Sequence, residues 1–192
     1  DNNGGGDGDI DNTATASSPD APNAQDSAAA PLDVDAPAPV NLAKSATEAV
    51  DNGDGTYDVT YTITATNLGA ATSSYNVFDQ LTPSAAVTSV SILSPTAYQA
   101  GTENAVSGTI ANVTAGQLLA GVNLVTNESL AAGLTEAWTF TIRYAVDSAE
   151  LTQQNADCLN NAGENGNTGF ANNVSGSSTD TNPADNRACV PI

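Results

Sequence analysis

Two stretches of about ten residues alternate between apolar and polar side chains, a pattern no helix can satisfy. In the first, Tyr57, Val59, Tyr61, Ile63 and Ala65 are set against Asp58, Thr60, Thr62, Thr64 and Thr66. In the second, Trp138, Phe140, Ile142, Tyr144 and Val146 are set against Thr139, Thr141, Arg143, Ala145 and Asp147. A helix brings together residues three and four apart, whereas a strand sends alternate side chains to opposite faces. Both runs are therefore strands with one buried face, built from β-branched and aromatic residues. Most of the large aromatics fall on these faces, so the two strands belong to one core.

Weaker segments extend the reading. Asn41 to Lys44 is a short opening strand, followed by the turn Asp51-Asn52-Gly53-Asp54-Gly55. Tyr75, Val77, Asp79 and Leu81 alternate up to Pro83, and Val87, Val90, Ile92 and Leu93 form a further strand. Val106, Ile110 and Val113, then Val122, Leu124 and Val125, read as shorter strands, and Leu130-Ala131-Ala132-Gly133 turns into the Trp138 strand. Several strands with turns at close intervals predict an all-β fold, an immunoglobulin-like β-sandwich over 37–192, with a barrel as the rival. Over 96–135, Ala, Gly, Thr and Asn leave the register open.

Charge removes several classes of function. The 192 residues carry 22 acids against three bases (Lys44, Arg143 and Arg187), a formal charge of −19, and no His. A phosphate backbone is held by Lys and Arg, so nucleic acid is excluded as a partner, and anionic membrane surfaces with it. No apolar run is long enough to insert into a membrane. Without His the commonest general base is missing, no Lys stands out as a base, and no nucleophile can be assigned among the many Ser and Thr residues. An enzyme is not expected.

The first forty residues hold eight acids, no base and five of the nine prolines, the composition of a linker. Yet residues 12–32 align without a gap to 172–192 at an offset of 160. Identities fall at Asn12/Asn172, Ser17/Ser177, Ser18/Ser178, Asp20/Asp180, Ala24/Ala184, Ala28/Ala188 and Pro31/Pro191, and Ile10 matches Phe170. The arm, 1–36, thus reads as the last two strands of a preceding repeat. Two strands alone are marginal in water. The expected host is another copy of the chain, with Ile10, Asn12, Ala14, Ala16 and Ser18 as the intersubunit segment in a β-strand addition. The rival reading folds the arm back on its own domain.

Residues 40–192 resemble the conserved repeat domain of bacterial and archaeal surface proteins, an immunoglobulin-like module often found in tandem. The resemblance is carried by the run from Asp58 to Gly69, by Val77-Phe78-Asp79-Gln80-Leu81-Thr82-Pro83 and by the Leu130–Gly133 turn. The closing run Asn172 to Ser178 with Asn182-Pro183-Ala184-Asp185-Asn186 completes it. It implies secretion or cell-surface display, a structural or adhesive setting and end-to-end arrays, and it transfers no catalytic residue. Two versions of an array follow: separate subunits polymerising through the arm, or one period of a longer tandem chain. The alternative is a surface adhesin gripping a glycan or protein with its loops.

Three groups of residues are candidate sites. Cys158 and Cys189 are the only cysteines, and with no His partner they read as a disulfide joining the strand near Ala156 to the final strand, which fits an oxidising compartment. Asp7, Asp9 and Asp11, and Asp51 with Asp54, invite a calcium reading, since calcium takes six to eight oxygens. Neither group ends in the bidentate Glu of a calcium loop, and Asp, Asn and Gly are also the ordinary turn formers. No cofactor is required. Asp79 shares its frame with Tyr75, Val77 and Leu81, so its carboxylate points inward, as a hydrogen-bonded structural group.

Overall fold

The structure, a computed structural model, describes residues 9–31, 40–93, 99–101, 113–159, 167–176 and 180–192. The chain divides into two units, 1–36 and 37–192.

The first unit is a hairpin of β1 (Asp9–Ser18) and β2 (Ala21–Pro31). Its register runs from Asp9↔Pro31 to Ser18↔Ala21, with an irregularity between Ala16 and Ser18. Every side chain from 13 to 29 is exposed, Ala14, Ala16 and Ser18 among them, while the side chains of Ile10 and Asn12 lie outside the described residues.

The second unit is a sandwich. Its strands are β3 (Val40–Ala46), β4 (Val50–Asp51), β5 (Thr56–Asn67), β6 (Ser73–Leu81), β7 (Val87–Ile92), β8 (Gln99–Gly101), β9 (Val122–Leu130), β10 (Thr135–Val146), β11 (Phe170–Ser175) and β12 (Arg187–Val190). One antiparallel sheet has the order β3-β5-β10-β7, with β4 paired to β5 and β8 to β10; the other is β12-β11-β6-β9. Inward residues of both sheets form one core, so the two-sheet arrangement replaces the barrel.

The two strongest sequence runs are neighbours in the first sheet. Trp138 lies opposite Ile63, Phe140 opposite Tyr61 and Ile142 opposite Val59, all buried. On the outer face of the same pair, hydroxyls meet at Thr60–Thr141 (2.8 Å), Thr62–Thr139 (3.2 Å) and Thr66–Thr135 (3.0 Å). Cross-strand pairs of this kind fix the register from both faces. Arg143 is not at a sheet edge: it stands opposite Asp58 and donates two hydrogen bonds of 2.7 Å to its carboxylate. The pair is solvated, so Arg143→Ala is expected to leave the melting temperature almost unchanged.

Two segments differ from the sequence reading. Val113 is not in a strand but enters helix α1 (Ala115–Ala120), and Val106 and Ile110 lie outside the described residues. Thr114 caps α1 by accepting from the Gln117 backbone amide, Gln117 Oε1 accepts in turn from the Thr114 backbone amide, and Leu118 is buried beneath. Near Ala156 the chain is likewise not a strand but a short helix, α2 (Gln153–Ala156), capped in the same way by Thr152 and Asn155. Thr at the cap with an amide three residues on is the local signal in both places.

Candidate functional site

Among the inward-facing positions of the sandwich that carry polar side chains where the alternation calls for apolar ones, Lys44, Asp79 and Asn172 come together in one cluster. On β3 the buried residues are Val40, Leu42 and then Lys44. On β6 they are Ser73, Tyr75, Val77, Asp79 and Leu81. On β11 Asn172 falls between Phe170 and Val174. Asn172 lies opposite Leu81 and Val174 opposite Asp79, so Asp79 and Asn172 are diagonal neighbours on one face. Lys44 reaches them from the facing sheet.

The three side chains meet at one carboxylate. Lys44 Nζ donates to Asp79 Oδ1 with both side chains fully buried, and Asn172 Nδ2 donates to Asp79 Oδ2 at 3.3 Å. Asn172 Oδ1 is buried with no hydrogen-bond partner among the described residues. Lys44 Nζ is 5.7 Å from the ring centre of Tyr61 and 5.4 Å from that of Phe140. Around this cluster Tyr61 hydrogen-bonds the Tyr144 hydroxyl and the Phe170 carbonyl, each at 2.8 Å, and Tyr144 stacks on Phe170 at 4.5 Å. Lys44, Asp79 and Asn172 are all buried, with the Tyr61 and Phe140 rings beside the lysine nitrogen.

Burial sets the electrostatics. Loss of solvent pushes the Lys44 amine below its ordinary value, opposed by the charge and hydrogen bond of Asp79. The same loss pushes the Asp79 carboxyl up, opposed by Lys44 and by the Asn172 hydrogen bond. Both shifts favour the uncharged forms, an amine beside a carboxylic acid. Desolvation also drives the Tyr61 and Tyr144 hydroxyls up, so both keep their protons. A buried lysine whose pKa is lowered by desolvation is more readily deprotonated than an exposed one, a property that the sequence reading, with no Lys singled out as a base, did not assign to Lys44. The inward carboxylate expected at Asp79 is present; its two partners come from strands far away in the chain.

The remaining candidate residues are placed as follows. Cys158 and Cys189 form a disulfide with Cα atoms 5.7 Å apart, tying β12 to the loop after α2. Asp51 Oδ1 accepts the Gly53 amide, and Asp54 Oδ1 accepts the Thr56 amide and hydroxyl. With Gly53 and Gly55 at φ 77° and 83°, these carboxylates are engaged in closing their own turn. Asp7 lies outside the described residues, Asp9 and Asp11 are described in backbone only, and no cluster of three metal-binding side chains occurs among the described residues. Trp138 is fully buried and offers no exposed ring to a sugar. Among the described residues no helix is long and apolar enough to cross a membrane.

No protein-family model, curated protein or solved structure matches this chain.

Proposed function

We propose that the chain is a structural subunit or repeat of an extracellular filament, joined head to tail when its N-terminal hairpin is held by a neighbouring domain. One observation carries the reading: the hairpin repeats the end of the sandwich in register as well as in sequence. In the first unit Ile10 pairs with Ala30, Asp11 with Ala29, Asn12 with Ala28 and Thr13 with Ser27. In the sandwich Phe170 pairs with Val190, Ala171 with Cys189, Asn172 with Ala188 and Asn173 with Arg187. Every one of these pairs is displaced by the same 160 residues. A sequence alignment alone does not require shared pairing, and matching pairs support descent from one hairpin.

The sandwich already contains its own copy, β11–β12, hydrogen-bonded to β6. Among the described residues the first copy is a sheet of two strands only, its side chains from 13 to 29 are exposed, and isolated hairpins are marginal in water. A sheet edge on a second copy supplies the missing pairing. The disulfide fits an oxidising, extracellular setting. In this reading the sandwich belongs with the immunoglobulin-like repeat domains of surface proteins, and it has no outside substrate to turn over.

Deletion of 1–36 tests the proposal, since 37–192 holds its own core. The full chain is expected to form oligomers or fibres by sedimentation and electron microscopy, and the truncated chain to remain a monomer with an unchanged melting temperature. Assembly that survives the deletion removes the arm as the coupler.

A further inference from the structure

We propose that Lys44 and Asn172 condense into an amide bond between the two sheets, with Asp79 as the catalytic acid and base and ammonia as the leaving group. The argument starts from what the cluster costs as a set of spectators. A lysine and a carboxylate with no exposure lose more in hydration than their attraction usually returns, and apolar residues of similar size fill such places as well or better. Asn172 adds an amide whose oxygen has no donor among the described residues. Such an arrangement is costly as packing and well suited to chemistry.

Asp79 spans the two nitrogens that have to exchange. Its Oδ1 faces the incoming amine of Lys44, and its Oδ2 faces the amide nitrogen of Asn172, which is the group that has to leave. A proton first passes from the Lys44 ammonium to the Asp79 carboxylate, leaving an amine beside a carboxylic acid. Nζ then attacks Asn172 Cγ, forming the Nζ–Cγ bond and a tetrahedral centre. As the Cγ–Nδ2 bond breaks, the Asp79 acid gives its proton to Nδ2, and Asp79 takes one proton from Nζ in return. The products are a secondary amide, one molecule of ammonia and Asp79 protonated as before. No oxidant, metal or outside reactant is consumed.

The surroundings favour this course over hydrolysis. Nζ lies near the Tyr61 and Phe140 rings, and Asp79, Asn172 and Lys44 are all buried, so water does not compete for Cγ. Holding amine and amide on one carboxylate replaces a collision with a fixed arrangement. Burial also lowers the cost of that first proton transfer, since loss of solvent favours the neutral amine and the carboxylic acid over the ion pair. Among the described residues no second carboxylate acts on Lys44 or Asp79, which favours Asn172 over Asp79 as the acceptor: with Asp79 consumed, no described acid would remain to relay the proton. The repeated hairpin keeps an asparagine at the matching register position, Asn12, while Cys189 is replaced there by Ala29.

The bond would join β3, the first strand of the sandwich, to β11, next to the last. In a filament pulled at its ends, tension would pass from β3 to β11 without shearing the hairpins between them. That consequence rests on the filament reading, but the chemistry does not. The mass of one chain says nothing about assembly, and the deletion of 1–36 says nothing about the bond, so either idea can fail alone.

The test is the intact mass of the full chain after reduction of its disulfide. The expected mass is that of the sequence less one ammonia. Trypsin under denaturing conditions is expected not to cut after Lys44, whose amine is now an amide, and to leave residues 144–187 attached through Asn172 to residues 1–143. Asn172→Ala is expected to return to its own full sequence mass and to release residues 1–44. Asp79→Asn, with its fold checked by the near-ultraviolet signal of Trp138, is expected to behave in the same way. A wild-type chain at its full sequence mass, cut after Lys44, overturns the proposal. A chain one water lighter, with Lys44 joined to Asp79, overturns Asn172 as the acceptor. A folded Asp79→Asn chain that still loses ammonia overturns the role of Asp79.

Discussion

Lys44→Met is expected to cost about 3–5 kcal/mol of stability, and adding Asp79→Leu to the same chain is expected to recover a large part of it. Methionine fills the aliphatic volume of the lysine stem but leaves Asp79 in the core with Asn172 as its remaining donor. Neither the single nor the double variant has an amine at position 44, so neither can form the cross-link. The difference between them therefore reports the buried carboxyl together with its hydrogen bond to Asn172, free of any cross-link.

That difference has a pH dependence whose sign is fixed. Burial raises the Asp79 pKa above its ordinary value of 3.8, and removing Lys44 takes away the largest opposing influence. In the unfolded chain Asp79 ionises as pH passes about 4, while the folded chain still holds its proton. The unfolded state is then favoured, and stability of Lys44→Met falls by up to about 1.4 kcal/mol per pH unit until the folded pKa is reached. The double variant lacks this slope. Denaturant titrations of both chains between about pH 4 and pH 8 measure it. A single variant as stable at the upper end as at the lower would show that Asp79 is not held in an apolar core.

Much of the cluster was readable in the chain. Val40-Leu42-Lys44, Val77-Asp79-Leu81 and Phe170-Asn172-Val174 each place one polar residue in phase with apolar neighbours. Asp79 was identified because its strand is long and its alternation clean. Lys44 ends a short run, and Asn172 sits in the sequence Asn-Asn-Val, so the phase of each is ambiguous without the neighbouring strand. What the sequence could not supply was convergence. Asp79 is 35 residues from Lys44 and 93 from Asn172, and only the packing of the two sheets brings them together.

The fold shows the same division between local and distant information. The strands at Tyr57 and Trp138 announced themselves through period-two patterning, because each buries one face and bathes the other. Their direct pairing, which sets Ile63 against Trp138, could not be read from either run alone. Helices α1 and α2 were missed for a different reason. Each is a single capped turn or little more, too short to develop a helical period, and in both the capping residues were the legible signal.

Removal of the disulfide is expected to cost about 3–4 kcal/mol, lowering the melting temperature by about 6–16 °C. The bond closes a loop with a sequence separation of 31, and in the chain-entropy model the gain comes from restricting the unfolded state. Its folded environment is tight on every side. Gly169 donates to the Asn155 carbonyl and Ile192 to the Ala156 carbonyl, so the α2 loop is already held against β12. Gly169 has φ 52°, and a Cβ there would lie 2.7 Å from the Val190 carbonyl oxygen, 2.9 Å from Cys189 Sγ and 3.0 Å from Cys158 Sγ. Glycine at this position and the disulfide are thus parts of one arrangement. The repeated hairpin has Asp9 at the position of Gly169 and Ala29 at that of Cys189, losing both together. Gly169→Ala in the native chain is expected to cost about 2–4 kcal/mol from backbone strain and crowding. With Cys158 and Cys189 both changed to Ala, two of the three close atoms disappear and the penalty should shrink. It should not vanish, because the positive φ and the Val190 carbonyl remain. Thermal denaturation of the four chains measures this coupling, and strictly additive effects would show that the glycine and the disulfide act separately.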